Sequence, residues 1–415
     1  MVKSVEVKNF KSISDLKIEL GRVNVFIGEN GSGKSNILEA VAFGAAASAN
    51  KLDKEFLASR GMRVPEAELV RNGFDKSSLK KDVFIYFEVD TNDNSNDVIR
   101  VKYQLRNDNG EFSKWEEVFK DTASNVTLQL MRYLFTDFPK EADENLLATI
   151  KSGFGESFVD EFVRYKKSIK DVVKDEISKL TDDITKDLIF KRVDNFYSHP
   201  LVQKFKIYAP ENTFLRKFED EEAGDPLGIK GEGLFRLLRY FQNHDDKNYI
   251  NAIKDALSAL DWFDNFEIPN SLYVTERRLS IIDRFIDPSV SISQNSANEG
   301  FLFILFYISL FVSEDTPPFF AVDNVDASFN PKLCKHITQI LVNAAKKSSK
   351  QALFTTHNPF ILDGLDLTDD EQRLFVVYRT QQGHTVAKRV EPNDRKMKLS
   401  EQWMNGFLGG LPKNF

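Results

Sequence analysis

The chain of 415 residues is poor in cysteine and in long apolar runs. Its single cysteine, Cys334, excludes an internal disulfide and suits a reducing compartment. The longest uncharged apolar run, residues 301–312, is twelve residues long, whereas a membrane-spanning helix needs about 20. Residues 1–7 alternate like a β-strand and lack the apolar core of a signal peptide. We therefore expect a cytoplasmic protein with no membrane-spanning segment.

The chain also lacks an excess of positive charge. Its formal net charge is −7, so the whole molecule does not attract nucleic acid, although a local basic groove remains open. The five histidines are scattered and no zinc-ligand spacing occurs. The content of hydrophobic residues, 41%, is that of an ordinary soluble protein, and most of the 36 phenylalanines are expected in the core. The length allows two or three domains, or one large nucleotide-binding head with an insertion.

What the sequence does contain is a phosphate-binding pattern, G-x-x-x-x-G-K-[ST]. The apolar residues 23–27 predict a strand and residues 36–41 a helix. Between them lies the segment we call the phosphate loop, Gly28-Glu29-Asn30-Gly31-Ser32-Gly33-Lys34-Ser35. Its glycines allow successive backbone N–H groups to point at phosphate oxygens, and the helix N-terminus adds partial positive charge. We expect the phosphate loop and Asn36 to bind ATP, with Lys34 at the β- and γ-phosphates and Ser35 on Mg²⁺.

Two further candidate residues follow apolar segments in the last third of the chain. Residues 319–322 predict a buried strand that ends at Asp323, the position from which a phosphate-loop ATPase supports Mg²⁺. Residues 351–356 predict another strand, which ends at His357. A lone histidine is usually structural, but its place after the strand that follows Asp323 favours a contact with the γ-phosphate or the attacking water.

A short polar segment opens the long apolar helix predicted for residues 301–312. This segment spans residues 291–300. Small hydroxyl and amide side chains at a helix N-terminus make a good anion site. The same residues also suit an ordinary N-cap, and their spacing does not separate these two interpretations.

The remaining segments predict the layout of the chain. Residues 2–27 predict a β-meander that ends at the phosphate loop, and the strand-like residues 82–89 and 98–105 predict an antiparallel β-lobe. Between residues 141 and 197, apolar residues recur every three or four positions, which predicts a helical insertion. We divide the chain into the first half of a nucleotide-binding head with the β-lobe, a mainly helical insertion, and the second half of the head, at residues 1–140, 141–260 and 261–415.

Together these motifs resemble the ABC-type ATPases of the RecF, SMC and OLD kind. The likeness rests on Asn9-Phe10-Lys11-Ser12, the phosphate loop, residues 296–300, Asp323 and His357, and it covers roughly residues 1–45 and 285–380. It identifies residues 296–300, which we call the signature segment, with Ser296, Asn298, Glu299 and Gly300 as candidate ligand-contacting residues. It implies an α/β fold: an ABC-type P-loop head with an antiparallel β-lobe and a helical insertion. It also implies that the signature segment touches ATP held by the opposite subunit of a head-to-head dimer, so that ATP joins two copies and its hydrolysis releases them.

More narrowly, the last third is similar to the ATPase of two-gene bacterial abortive-infection systems of the AbiL and RloA kind. The residues that carry this likeness are 298–302, 323–326, 356–359, 362–365 and 406–412. It implies a sensor or scaffold in anti-phage defence that controls a separately encoded effector, a nuclease. The alternatives are a RecF-like repair or recombination ATPase that binds DNA directly, and a nucleotide-binding scaffold that hardly hydrolyses ATP.

Asn324 departs from the pattern of this family. ABC ATPases place a glutamate directly after the metal-supporting aspartate as general base, and an amide cannot usefully accept a proton. Either Asp326 takes over as base, or hydrolysis is slow and the ATP-bound dimer persists. The signature segment also lacks the usual double glycine. We expect slow but real, Mg²⁺-dependent hydrolysis.

An R-x4-H spacing, which a family of RNases uses, occurs from Arg239 to His244 and again from Arg379 to His384. The second match lies in a predicted C-terminal hairpin, where such chemistry is implausible. Two matches among five histidines show that the pattern is unspecific. We therefore do not expect nuclease activity in this chain.

Overall fold

The computed structural model describes residues 1–63, 66–90, 98–110, 113–118, 200–217, 226–243, 248–268, 278–287 and 289–410. The strands in these residues are β1 Val2–Phe10, β2 Ile13–Glu19, β3 Val23–Ile27, β4 Val83–Asp90, β5 Val98–Arg106, β6 Glu116–Glu117, β7 Ile207–Tyr208, β8 Phe263–Glu267, β9 Ser280–Asp283, β10 Ile292–Ser293, β11 Phe319–Val322, β12 Gln351–Thr356, β13 Gln372–Arg379 and β14 Thr385–Val390.

The helices pack on both sides of these strands. They are α1 Lys34–Ser48, α2 Lys54–Ser59, α3 Ala67–Val70, α4 Pro200–Gln203, α5 Asn212–Lys217, α6 Leu234–Asn243, α7 Asn248–Leu257, α8 Glu299–Val312, α9 Pro331–Lys347 and α10 Leu399–Met404, with short 3-10 turns at Ser78–Lys80 and Pro359–Gly364. Among the described residues, no helix is both long enough and apolar enough to span a membrane.

The predicted β-lobe is an antiparallel sheet in the order β2-β1-β4-β5-β6. Buried and partly exposed side chains alternate along β4, as they do when one face of a sheet packs on a core and the other meets solvent. Phe87 of β4 packs edge-on against Tyr103 of β5, with ring centroids 6.1 Å apart. The lobe is therefore confirmed, and it also includes the two N-terminal strands.

The second large sheet has the order β14-β13-β3-β12-β11-β7, and β3 lies in its middle, parallel to β12 and β13. The predicted β-meander over residues 2–27 is therefore wrong for its third strand, because β3 leaves the antiparallel sheet that β1 and β2 form. All five residues of β3 are buried. A strand that is buried on both faces belongs among parallel strands covered on both sides, and this placement puts the phosphate loop at the carboxyl end of a central strand.

Helix α8 runs through the main hydrophobic core. Twelve of its fourteen residues are buried, so it is apolar all round and needs neighbours on every side. Phenylalanine rings supply much of this core: Phe311 packs against Phe320 of β11 and Phe354 of β12, with centroids 5.1 and 6.4 Å apart. A second core lies between α1 and the antiparallel sheet. The helix predicted from residues 301–312 is thus confirmed, and its N-terminus projects from the core.

Several predicted segments lie outside the described residues. They include all of residues 141–197, where the helical insertion is predicted, and His244. The division of the chain at residues 140 and 260 stays a prediction.

Candidate nucleotide site

The phosphate loop leaves β3 at the centre of the parallel sheet and enters α1. Gly31 and Gly33 have left-handed backbones, with φ of 76° and 106°, which favour glycine. At Gly28 a Cβ atom would lie 2.1 Å from the carbonyl oxygen of Val377 in β13, so only glycine fits there. Gly33 precedes α1 without making a side-chain cap, which leaves the first N–H groups of the helix for a ligand.

Lys34 folds over this loop. Its Nζ donates to the carbonyl oxygens of Gly28 and Glu29 over 2.9 and 3.0 Å, and its side chain is buried. Burial lowers the pKa of Lys34 to about 8, against the opposing attraction of Asp323, Asp326 and Glu29. Carbonyl acceptors of this kind can be exchanged for phosphate oxygens, whose negative charge would stabilise the ammonium.

Ser35, the last residue of the phosphate loop, is hydrogen-bonded to Asp323. The sequence predicted both residues as metal ligands. The Ser35 hydroxyl donates to both carboxylate oxygens, over 3.1 Å to Oδ2 and 3.3 Å to Oδ1. A hydroxyl and a carboxylate are hard oxygen donors of the type that Mg²⁺ prefers, and two such ligands leave room for water and phosphate oxygens. The donor set therefore fits Mg²⁺.

Thr355 of β12 belongs to this site although sequence reasoning did not select it. Its hydroxyl donates to Asp323 Oδ1 and accepts from the Asn324 N–H over 2.8 Å. Its carbonyl oxygen accepts from the Val325 N–H over 3.0 Å. The signal in the sequence was a polar residue in a fully buried strand, and its role is to fix the carboxylate and the turn after β11.

Asn324 and Asp326 take different positions in that turn. Asn324 is exposed and has a left-handed backbone with φ of 56°, a conformation that asparagine tolerates better than most residues. Asp326 is half-buried, and its Oδ1 is shut off from solvent without a hydrogen-bond partner in the described chain. The charge of Asp326 acts on both Lys34 and His357. Asp326 therefore has a carboxylate within electrostatic reach of Lys34 and His357, whereas Asn324 offers only an amide.

His357 follows β12 and keeps an exposed face. Partial burial lowers its pKa, and the positive charge of Lys34 lowers it further, while Asp326 and Asp323 act in the opposite direction. The imidazole is therefore neutral at pH 7. The charges of Lys34, Asp323 and Asp326 thus all act on His357, and the roles of these four residues stay predictions.

The hairpin of β13 and β14 donates hydrogen bonds to the phosphate loop. Arg379 Nε donates to the Gly31 carbonyl oxygen over 2.8 Å, and the Thr385 hydroxyl donates to the Ser32 carbonyl oxygen over 2.9 Å. Thr385 also shares a 2.7 Å hydrogen bond with Ser12, which in turn accepts from Asn36 over 2.6 Å. Arg379 thus helps to hold the phosphate loop in place.

Lys11 of the Asn9-Phe10-Lys11-Ser12 motif forms an ion pair with a buried carboxylate in the second turn of α1. Glu39 is only 2% exposed and forms ion pairs with Lys11 and, over 2.6 Å, with Arg63. Burial lowers the pKa of Lys11, so it needs this partner. Sequence reasoning missed Glu39 and Arg63, because nothing in their spacing along the chain indicates that they meet.

The signature segment lies apart from the phosphate loop of its own chain. Asn298 caps α8, accepting from the Phe301 N–H over 2.8 Å, while Ser296 and Glu299 are exposed. Gly300 is buried. Within the described residues, no hydrogen bond or ion pair joins residues 296–300 to residues 28–36. The N-cap interpretation is therefore confirmed for Asn298, and the role in a second copy stays a prediction.

Residues 212–216 form hydrogen bonds with the signature segment and the residue before it. Arg216 donates to the carbonyl oxygens of Asn295 and Ala297 over 2.8 and 2.6 Å. Asn212 donates to Glu299 Oε1 over 2.5 Å, and Ser328, in the turn after β11, donates to Glu299 Oε2 over 2.5 Å. These contacts tie the signature segment to the turn that carries Asp323 and Asp326.

The sequence profile of the AAA ATPase domain family matches residues 1–362. The chain belongs to this family. The match includes both halves of the site, from the phosphate loop to Asp323 and His357.

Relatives of this AAA ATPase match shorter parts of it. The DNA replication and repair protein RecF of Lactococcus lactis subsp. cremoris is 38% identical over 72 residues, which are 17% of this chain and 20% of RecF. The uncharacterized protein MJECL10 of Methanocaldococcus jannaschii is 33% identical over 93 residues, which are 21% of this chain and 42% of that protein. The alignments thus span about a fifth of RecF and two fifths of MJECL10.

Among solved structures, an Smc head bound to the C-winged helix domain of ScpA superposes with a TM-score of 0.51. It is 12% identical, and the match covers 94% of this chain and 97% of that one. This likeness shows the fold. The expected α/β, ABC-type P-loop head and the resemblance to ATPases of the RecF and SMC kind are therefore confirmed. The narrower likeness to abortive-infection ATPases stays a prediction, as do the roles of the individual site residues.

Proposed function

We propose that this AAA ATPase binds ATP with Mg²⁺ at the phosphate loop and hydrolyses it slowly. The observation that carries the proposal is the pair of hydrogen bonds from Ser35 to Asp323, which joins the loop after β3 to the end of β11. In this proposal Gly28 to Asn36 hold the phosphates, Lys34 pairs with the β- and γ-phosphates, and Ser35 and Asp323 hold the metal. The metal neutralises charge on the phosphates and orients them for attack by water.

Asp326 serves as the general base in this mechanism. Asn324 cannot usefully accept a proton, whereas the carboxylate of Asp326 lies where its charge acts on Lys34 and His357. The neutral His357 contacts the γ-phosphate or the attacking water. Hydrolysis is slow because the base comes from three positions after the metal-supporting Asp323 and not from the next residue.

The complete site includes a second copy of the chain. The exposed Ser296, Asn298 and Glu299, with the N–H groups near Gly300, contact ATP bound by the opposite protomer of a head-to-head dimer. Binding of ATP between two surfaces stabilises the dimer by mass action, and hydrolysis removes that stabilisation. Slow hydrolysis therefore gives a long-lived ATP-bound dimer.

The biological setting we propose is anti-phage defence in the bacterial cytoplasm. There the ATP-bound dimer holds or licenses a separately encoded effector, a nuclease, and ATP turnover changes that control. The alternative is a DNA-repair or recombination ATPase that grips DNA directly, which is favoured by the 38% identity to RecF over 72 residues.

The experiment is to express the chain with its genomic neighbours and purify it with ATP and Mg²⁺, next to Lys34→Ala and the control Lys396→Ala, which changes an exposed lysine. Turnover, molar mass and bound components are then measured. We expect slow Mg²⁺-dependent turnover and a heavier assembly with a second protein in fixed ratio, both lost in Lys34→Ala only. A homodimer that retains duplex DNA, with salt-sensitive stimulation of turnover, would support the repair alternative. Equal behaviour of all three proteins would contradict the ATPase proposal.

A further inference from the structure

Two buried polar atoms near the site have complementary hydrogen-bonding chemistry and lack partners within the described chain. One is the hydroxyl of Tyr307 in α8, a side chain only 1% exposed. The other is Oδ1 of Asp326, in the turn after β11. A hydroxyl donates and a carboxylate oxygen accepts. Native proteins rarely leave such buried atoms unpaired, because an unpaired polar atom loses its hydration without compensation.

Packing around Phe329 brings these two residues to the same place. The rings of Tyr307 and Phe329 have centroids 6.3 Å apart, and the Phe329 N–H donates to the carbonyl oxygen of Asp326 over 3.2 Å. Edge contacts with Phe303 and Phe306, at 6.1 and 5.8 Å, hold the tyrosine ring in the core. The direction of the hydroxyl is therefore fixed by packing.

The electrostatics agree with this geometry. Burial raises the pKa of Tyr307 far above its usual value, and the negative charge of Asp326 raises it further, so the hydroxyl keeps its proton. The charge of Asp326 also acts on Lys34 and His357. Its carboxylate is therefore within electrostatic reach of both Tyr307 and the phosphate loop.

We propose that Tyr307 is a positioning residue for Asp326: its hydroxyl donates through one bridging water molecule to Oδ1 and holds Oδ2 toward the nucleotide. This inference rests on the proposed function, in which Asp326 accepts a proton from the attacking water. A general base acts only when its reactive oxygen stays within hydrogen-bond reach of that proton. A hydrogen bond to one carboxylate oxygen restricts rotation of the whole carboxylate and so fixes the direction of the other oxygen. Because Tyr307 belongs to the helix that Asn298 caps, it also links the signature segment to the base.

The first test compares steady-state ATP turnover of Tyr307→Phe and Ser309→Ala. Tyr307→Phe removes only the hydroxyl, and we expect kcat to fall by about ten-fold, with KM and nucleotide affinity unchanged, because only the orientation of the base is lost. Ser309→Ala removes another buried hydroxyl of α8, whose partner is the Leu305 carbonyl oxygen at 2.8 Å, and should keep the wild-type kcat. A wild-type kcat in Tyr307→Phe, or an equal loss in both variants, would overturn the inference.

The second test asks whether Tyr307 acts through Asp326. The double variant Tyr307→Phe with Asp326→Asn should have the kcat of Asp326→Asn alone, whereas multiplied losses would show that the two residues act independently. Thermal unfolding gives a readout that does not need turnover. Tyr307→Phe should lower Tm in the wild-type background by more than in the Asp326→Ala background, which has no acceptor at this position.

The Tm comparison also separates the two levels of inference. If the wild-type protein shows no turnover but the Tm values are coupled, the pair exists and the proposed function fails. If turnover is present but the Tm shifts are equal in both backgrounds, the positioning role of Tyr307 fails and the proposed function stands.

Discussion

The phosphate loop and the signature segment both lie at helix N-termini, but they differ in how the rest of the chain contacts them. The helix after the phosphate loop has no side-chain cap, and Asp323, Thr355, Arg379 and Thr385 surround the loop. The signature segment is capped by Asn298, is held from behind by Arg216, and leaves Ser296 and Glu299 exposed. Contacts within one chain surround the first region, which we call the finished site, whereas the second region leaves polar side chains exposed.

The largest expected effect in this comparison comes from Asp323→Asn, which removes the charge that we propose supports Mg²⁺. ATP turnover should fall by about 100-fold, because the metal loses a charged ligand in the finished site. The measurement is turnover against Mg²⁺ concentration, with Asp363→Asn as a control, since that carboxylate instead accepts from Ser400. Turnover that stays at the wild-type level would remove Asp323 from the metal site.

A pH titration tests the same region without a change of metal ligand. The pKa of Lys34 is lowered from 10.5 to about 8 in the free protein, so the ammonium loses its proton as the pH rises through 8. Phosphates bind the protonated form, and ATP affinity should therefore fall by about ten-fold from pH 7 to pH 9. Lys34→Arg stays charged over this range and should show a flat profile. Fluorescent-nucleotide binding measures both; a flat wild-type profile would contradict the prediction.

The signature segment should respond differently, because its loss affects association before nucleotide binding. Arg216→Ala removes charged donors to the carbonyl oxygens of residues 295 and 297 and should weaken ATP-dependent dimerisation by about five-fold. ATP affinity of the single chain should not change. Sedimentation with and without ATP measures the first quantity and calorimetry the second. Arg395→Ala, at an exposed arginine elsewhere, is the control. An equal loss of ATP affinity would mean that the two regions are not separable.

The smallest expected effect is that of Asn324→Glu, which restores the usual base in the finished site. Turnover should rise by about three-fold, a modest gain because Asp326 already accepts the proton. The left-handed backbone at this position should also reduce stability by about 1 kcal/mol, since glutamate tolerates it less well than asparagine. Asn324→Gly separates the two effects, because it relieves the backbone without adding a base. Unchanged turnover in Asn324→Glu would weaken the claim that this position limits hydrolysis.

Local patterns predicted the parts of the site that lie on one segment each. The phosphate loop, the strand before Asp323 and the strand before His357 were found because glycine spacing and apolar runs report local structure. Thr355, Glu39 and Arg216 were not found. Each works through a partner far away in the chain, and neither propensity nor periodicity carries information about such pairs.

The sequence by itself determined the chemistry: a phosphate loop, a carboxylate at a strand end, an amide at the position of the usual base, and a helix too apolar to lie at the surface. Tertiary structure decided that β3 leaves the N-terminal strands for the sheet of parallel strands, that Ser35 is hydrogen-bonded to Asp323, and that the hydroxyl of Tyr307 is buried. The physical reason is that the burial of apolar faces selects the sheet order. Contacts between distant residues exist only once that order is set.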